Sequence, residues 1–220
     1  MNWLVITLFA YFFLALEIIL DKFLLSSKRV SHPAIYAFYS GSLGMFAMIF
    51  IPFGAHSITL FRAVSMITAG IIFIYGMFSM FSALSKSEAS RVTPVIGAII
   101  PIIIYFLSMA FLGERLDSRE IVGLIFLISG GLWISYDFSK TRERKIFLGF
   151  GWSVLAGILL AVSATLFKFF YQSDNFFNVY VWTRVGAFCG ALSLFLFPQF
   201  RKKLIESIFK FKKPQKEHQK

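Results

Sequence analysis

Residues 91–116 read RVTPVIGAIIPIIIYFLSMAFLGERL. No charge interrupts the run between Arg91 and Glu114, which is enough for the roughly 20 apolar residues that a helix needs to cross a bilayer. The run ends in a charged turn, Gly113-Glu114-Arg115. Asp117-Ser118-Arg119-Glu120 then opens the next apolar run, with an acid three positions after the cap, as in a capping box. A span, a short polar turn and a second span is the plan of a polytopic membrane protein.

The same plan repeats outward in both directions. Seven runs qualify as spans: Trp3–Leu25, Ile35–Phe53, Val64–Leu84, Val92–Leu112, Glu120–Phe138, Phe147–Phe170 and Val179–Phe197. The expected fold class is therefore an all-α polytopic membrane protein with about seven transmembrane helices. Composition agrees. The chain of 220 residues is 58% hydrophobic and 15% charged, with a mean hydropathy of +0.75. Soluble domains carry about 45–50% apolar and about 25% charged residues, so a soluble globule and a disordered chain are both excluded. No ten-residue stretch alternates with period two, which argues against a β-barrel. The first run lacks a basic start and carries Glu17, Asp21 and Lys22 where a cleavage site would lie, so it reads as a span and not as a signal peptide. Ser31-His32-Pro33 offers a cap followed by proline in the first turn of the second helix.

The chain also repeats itself. A shift of 146 residues lays the first two runs on the last two without gaps. Lys22 falls on Lys168, Phe23 on Phe169, Gly44 on Gly190 and Pro52 on Pro198. A unit that recurs after five helices is inverted in the membrane on its second appearance, a common plan of secondary transporters. The expected organisation is a five-helix repeat over 1–138, a basic linker over 139–146, a partial inverted repeat of two helices over 147–199 and a basic amphipathic tail over 200–220.

Residues 81–136 carry the most specific pattern. Phe-Ser-Ala-Leu-Ser-Lys-Ser-Glu-Ala-Ser and Val-Thr-Pro precede a long apolar helix ending in Phe-Leu-Gly-Glu-Arg-Leu, and the next helix holds Ile121-Val122-Gly123 and Gly130-Gly131. This pattern resembles the EamA-type unit of the drug/metabolite transporter superfamily. Its fourth and fifth helices also resemble small multidrug resistance transporters. The resemblance implies alternating-access movement of a small organic solute across the cytoplasmic membrane, without ATP, through a cavity between two inverted units. Full members have ten helices and this sequence has seven. The alternative is a non-transporting truncated remnant, or a subunit that needs another chain to complete the transporter.

Charged residues inside the spans are the first candidates for chemistry, because each costs roughly 2.5–3.5 kcal/mol on insertion scales. Glu17 lies in the second half of the first run and is expected to face the protein interior or a cavity. Ala15-Leu16-Glu17 resembles the first-helix glutamate setting of small multidrug resistance proteins, where that acid binds cations or protons. The competing reading is a snorkelling cluster with Asp21 and Lys22. Lys22 and Lys168 are candidates for an anionic-substrate pathway, against a role as interfacial anchors. Arg184, with Tyr180 and Trp182 close by in sequence, either snorkels to headgroups or faces a polar cavity and pairs with Glu17. Pro94 and Pro101 lie on one face of the fourth helix, as a hinge or a cavity wall. Gly123 and Gly130 give the fifth helix a smooth flank for packing, within the chain or between chains. Glu114 and Arg115 read as a structural surface turn.

No catalytic constellation, metal-ligand spacing or cofactor motif is present, so the expectation is no enzyme, no metal and no cofactor. His32, His56 and His218 all lie outside the runs, and Cys189, the single cysteine, reads as an inert apolar residue. A retinal protein would need a lysine deep in the last span, and Val179–Phe197 has none. The formal net charge of +11 lies between the runs and in the tail, which points to anionic lipid and away from nucleic acid. Most of the 22 Lys and Arg residues fall on the side of the tail, so the charge rule puts that side in the cytoplasm and the N-terminus outside. The family resemblance implies a cytoplasmic N-terminus instead. In the tail, Leu204, Ile205, Ile208 and Phe211 recur at helical spacing among Arg201, Lys202, Lys203, Lys210, Lys212 and Lys213, as in a basic helix lying in the interface.

Overall fold

The computed structural model describes residues 3–26, 32–53, 58–113, 116–135 and 143–210. Among the described residues the regular structure is entirely helical, with no strand. Helix α1 spans Trp3–Ser26. Helix α2 spans Pro33–Leu43 and runs on as a 3-10 helix over Gly44–Phe53. Next come α3, Leu60–Lys86, and α4, Ala89–Leu107, whose last turn widens to a π-helix over Ser108–Leu112. Helices α5, Ser118–Ser135, and α6, Glu143–Ser173, follow. Helix α7 covers Phe176–Ser193 and tightens to a 3-10 turn over Leu194–Leu196 before α8, Pro198–Lys210. Each of the seven expected runs is thus helical over its described residues, positions 136–138 of the fifth run lying outside them.

Among the described residues six helices can cross a membrane by length and composition: Leu4–Phe23, Pro33–Pro52, Leu60–Lys86, Ala89–Phe111, Gly149–Ser173 and Phe176–Leu196. The remaining expected span is α5. The lipid-facing character is visible in what stays outside. Leu8, Phe9, Phe12 and Phe13 of α1, Phe126 and Trp133 of α5 and Phe111 after α4 are all more than half exposed. So broad an apolar surface is stable only in hydrocarbon.

The helix ends follow local chemistry. Proline at the first position of α2 lacks an N–H that would be unsatisfied there in any case, and His32 Nδ1 caps the helix by accepting from Ala34 N–H at 3.2 Å. One half of the expected capping box of α5 forms, Glu120 Oε2 accepting the Asp117 N–H at 2.8 Å, while Asp117 Oδ1 accepts the adjacent Ser118 N–H at 2.7 Å. Gly113 ends the π-turn with φ at +66°, a left-handed conformation that glycine adopts without cost. Glu114 and Arg115 lie outside the described residues.

Helix α3 is the central post. It packs against both α6 and α7, while α4 packs on α5 and α6, and α2 on α3 and α7. One core cluster joins Ala34, Phe81, Leu84, Val92, Ala156 and Leu194, and a second joins Met66, Ala69, Phe170 and Val179. The α3–α7 crossing is made by reciprocal glycines. A Cβ on Gly70 would come within 2.1 Å of the Thr183 carbonyl oxygen, and a Cβ on Gly186 within 2.2 Å of the Ile67 carbonyl oxygen. Small residues at a crossing let backbones touch, which is how helices gain packing energy in lipid. A hydroxyl pair, Tyr75 with Ser193 at 2.7 Å, joins the same two helices further along.

Helix α5 approaches α4 through a single glycine. Gly123 and Gly130 have nothing within 4 Å among the described residues, so their smooth flank is left for packing between chains. Their neighbour Gly131 makes the contact, its Cβ position 3.0 Å from the Pro94 carbonyl oxygen. Pro94 and Pro101 both sit inside a helix that continues through them.

The tail is helical through Lys210, and residues 211–220 lie outside the described ones. Its apolar side turns partly to protein. Leu204 is buried in the cluster with Phe81, and Phe200 lies 5.3 Å from the Phe78 ring, whereas Arg201, Lys202 and Lys203 are exposed.

Substituting Gly186 tests the crossing. Gly186→Ala must push α3 and α7 apart at backbone level and should lower stability by about 1–3 kcal/mol, the usual cost of overpacking. Gly97→Ala, where a Cβ meets nothing within 4 Å, should be neutral or stabilising by about 0.5–1 kcal/mol. Thermal melting of the two variants in detergent, side by side with the parent, gives the comparison.

Candidate functional site

The charged and polar residues of the spans gather at two ends of the bundle. At the end where α1 finishes and α2 begins, Asp21 is buried at 4% exposure. Its Oδ1 accepts a short hydrogen bond from the Tyr36 hydroxyl, and its Oδ2 is buried without a hydrogen-bond partner among the described residues. The Tyr36 ring stands edge-on to Phe81, with centroids 4.4 Å apart, which fixes the hydroxyl on Asp21. Lys22, next in sequence, turns the other way. Its ammonium donates to the Leu84 carbonyl at 2.5 Å and the Ser87 carbonyl at 2.6 Å, closing the C-terminus of α3. A cation is stabilising at that pole of a helix, where carbonyls lack partners.

Glu17 is not the buried carboxylate of this group. One turn before Asp21, it lies on the exposed side of α1, which corrects the expectation that it faces the interior. The i, i+4 pair divides its roles: Asp21 is buried on Tyr36 of α2, whereas Glu17 is exposed on α1.

The other end is built on α3, α6 and α7. Asp174, in the turn before α7, pairs with Arg62 at 3.3 Å and accepts from the Asn178 amide at 3.0 Å. The Asn178 hydrogen bond is the main cause that holds the Asp174 carboxyl below the usual aspartate range. Burial opposes it, and the Asn175 N–H and Arg62 reinforce it. Deeper along α7 a cavity of about 200 Å³ opens, lined by Phe73 of α3, Phe167 and Tyr171 of α6, and Phe176, Tyr180, Thr183 and Arg184 of α7.

Arg184 is the charge of that cavity. Its guanidinium lies 5.3 Å from the Tyr180 ring centre and 5.8 Å from that of Phe73. Such a contact contributes about 0.5–1 kcal/mol where exposed and about 2 kcal/mol where desolvated, which offsets much of the roughly 2.5–3.5 kcal/mol that a charge at depth costs but supplies no acceptor for the guanidinium N–H groups. Arg184 lines this cavity against aromatic faces, and no ion pair between it and Glu17 forms among the described residues. Lys168 is exposed on α6 and does not line the cavity. Lys22 and Lys168 therefore do not meet: they lie toward opposite ends of the bundle. Pro94 and Pro101 do not line the cavity either.

Two parts of the site escape the sequence reading. The Asp21–Tyr36 pair joins different helices, and no spacing announces it. The aromatic wall did leave a signal, since Phe176, Tyr180 and Arg184 recur at every fourth residue, as do Phe167 and Tyr171.

Residues 1–136 match the model of the EamA-like transporter family, and the chain belongs to that family. No curated protein and no solved structure matches the chain. The family consists of membrane transporters and not of enzymes, and the exposed apolar helices put this multi-pass chain in contact with the lipid bilayer.

His32 makes the α2 cap sensitive to pH. Burial, and then the nearby Lys203, hold its pKa below the ordinary 6.5. Nδ1 accepts the Ala34 N–H only while the ring is neutral there. A histidine whose folded pKa is lowered contributes stability that is present above pH 6.5 and is lost as pH falls below it. The loss should amount to about 1 kcal/mol, the usual value of a cap, and His32→Asn, which caps without titrating, should remove the pH dependence. Melting temperatures between pH 7.5 and 5 for the two proteins measure it.

Proposed function

We propose that this EamA-like chain moves a small organic solute across the cytoplasmic membrane by alternating access, with the Arg184 cavity as part of the solute path. The observation that carries the reading is the placement of a guanidinium, with no carboxylate partner among the described residues, in a cavity among three spans. A charge kept at that depth has a task that pays for its insertion. Inverted organisation over 1–138 and 147–199 supports the reading. Lys22 and Lys168 hold equivalent register positions and lie toward opposite ends, as inversion requires. Both α2 and α7 pass from α to 3-10 winding at their ends. The cation-rich end, with Lys22, Lys86, Arg91 and the outer face of α8, is the cytoplasmic one on the charge rule, and there α8 meets anionic headgroups.

A second reading has its own observation. Glu17 is exposed in mid-span, and a carboxylate in contact with acyl chains is unfavourable by roughly 2.5–3.5 kcal/mol. Another chain lying on α1 would cover it, and a second copy is the simplest such partner. On this reading the chain is a subunit of an assembled transporter.

Each reading has a direct test. Tyr180→Cys in a Cys189→Ser background places one thiol on the cavity wall. Alternating access predicts that a membrane-impermeant maleimide labels it from either side of sealed vesicles; labelling from one side alone contradicts transport. For the second reading, native mass spectrometry in mild detergent should give at least twice the 25.1 kDa of one chain. A monomer that Glu17→Leu stabilises would show that lipid, and not a partner, surrounds α1.

A further inference from the structure

We infer that the Arg184 cavity binds the carboxylate of a single-ring aromatic anion. The inference rests on the solute-transport reading and names the class of solute.

Charge comes first. Arg184 has no carboxylate partner among the described residues. The acids near the bundle are engaged or distant: Asp174 faces Arg62, Asp21 faces Tyr36, and Glu17 lies outward on α1. A guanidinium presents two parallel donors to a carboxylate, and the bidentate pair strengthens where water is scarce. Arg184 stands eight residues into α7, about 12 Å along the axis from its start, well inside the span.

Size and wall chemistry narrow the ligand. An apolar cavity of about 150 Å³ holds a benzene molecule. A cavity of about 200 Å³ therefore accommodates one ring with a carboxylate. The walls are rings. Tyr171, Phe176 and Tyr180 form a stacked column, with centroids 5.6 and 5.8 Å apart and planes 22° and 10° from parallel. Phe73 and Phe167 close the opposite side, with centroids 6.0 Å apart. Spacings of this kind accept a further ring edge-on or offset. A lipid phosphate offers the same negative charge but no ring to set against these aromatic walls.

Binding is measured without flux, in nanodiscs of phosphatidylcholine, by calorimetry and melting temperature. Benzoate should bind and raise the melting temperature; benzylamine should do neither, and cyclohexanecarboxylate should bind more weakly than benzoate. Arg184→Gln should weaken benzoate by about tenfold or more, the loss expected for a hydrogen bond to a charged group. If that variant does not fold, Phe73→Leu decides: it must narrow the preference for benzoate over cyclohexanecarboxylate. Nanodiscs containing phosphatidylglycerol should leave benzoate binding unchanged. Equal binding of benzylamine, indifference to Arg184→Gln, an unchanged ring preference in Phe73→Leu, or displacement of benzoate by phosphatidylglycerol would each overturn the inference, the last by identifying a lipid site. Benzoate binding in a protein whose Tyr180→Cys labels from one side only would keep the ligand class and reject transport. Two-sided labelling without benzoate binding would do the reverse.

Discussion

Two backbones in direct contact set the geometry of this bundle. Where α3 crosses α7, Gly70 and Gly186 each take the place where the other helix has its carbonyl chain, and no side chain of any size fits there. In lipid there is no hydrophobic force to drive helices together, so close packing has to supply the energy. The same approach determines what stands beside it. Thr183, whose carbonyl faces Gly70, immediately precedes Arg184, and Phe73 follows Gly70 by one turn. The crossing thus delivers the guanidinium to the ring it lies over, with the cavity beside it lined by α3, α6 and α7.

Polar groups in the spans are satisfied in three ways, each suited to its depth. Lys22 spends its charge on the carbonyls at the end of α3, where a helix lacks donors. Asp21 keeps one oxygen on Tyr36. Arg184 uses ring faces. The first of these uses two of the three ammonium donors. The other two retain unused capacity, an aspartate oxygen and a guanidinium edge, and both belong to residues inside the bundle.

Much of this fold can be read from the sequence because it depends on short-range rules. Apolar run length gives the spans, and the Asp117–Glu120 spacing gives a cap that the structure forms. The family pattern rests on contiguous residues of the same kind, Leu112-Gly113-Glu114-Arg115 and its flanks. The site is less legible because it is made of contacts between helices. Glu17 and Asp21 share one face by spacing, and nothing within α1 says which of them meets α2. Gly123 and Gly130 look like the packing face of α5, yet the register with α4 selects Gly131. Arg184 was identifiable as an intramembrane charge, whereas its partners come from α3 and α7 together, and the glycine crossing that brings them together has no local signature.

Helix α1 is exposed throughout Leu4–Glu17, and its burial falls on Ile18, Asp21 and Lys22. Mechanically this is a lever with its fulcrum at one end. Lys22 and Asp21 pin that end to α3 and α2, and the arm beyond them runs about 25 Å at 1.5 Å per residue. A tilt of about 10° at the fulcrum displaces the far end by about 4 Å, close to the spacing of two packed side chains. The motion breaks no core contact, because the arm carries none. The bundle therefore divides into a stiff frame organised by α3 and a hinged outer helix, and any surface that rests on α1 can feel a change at Asp21 amplified along its length.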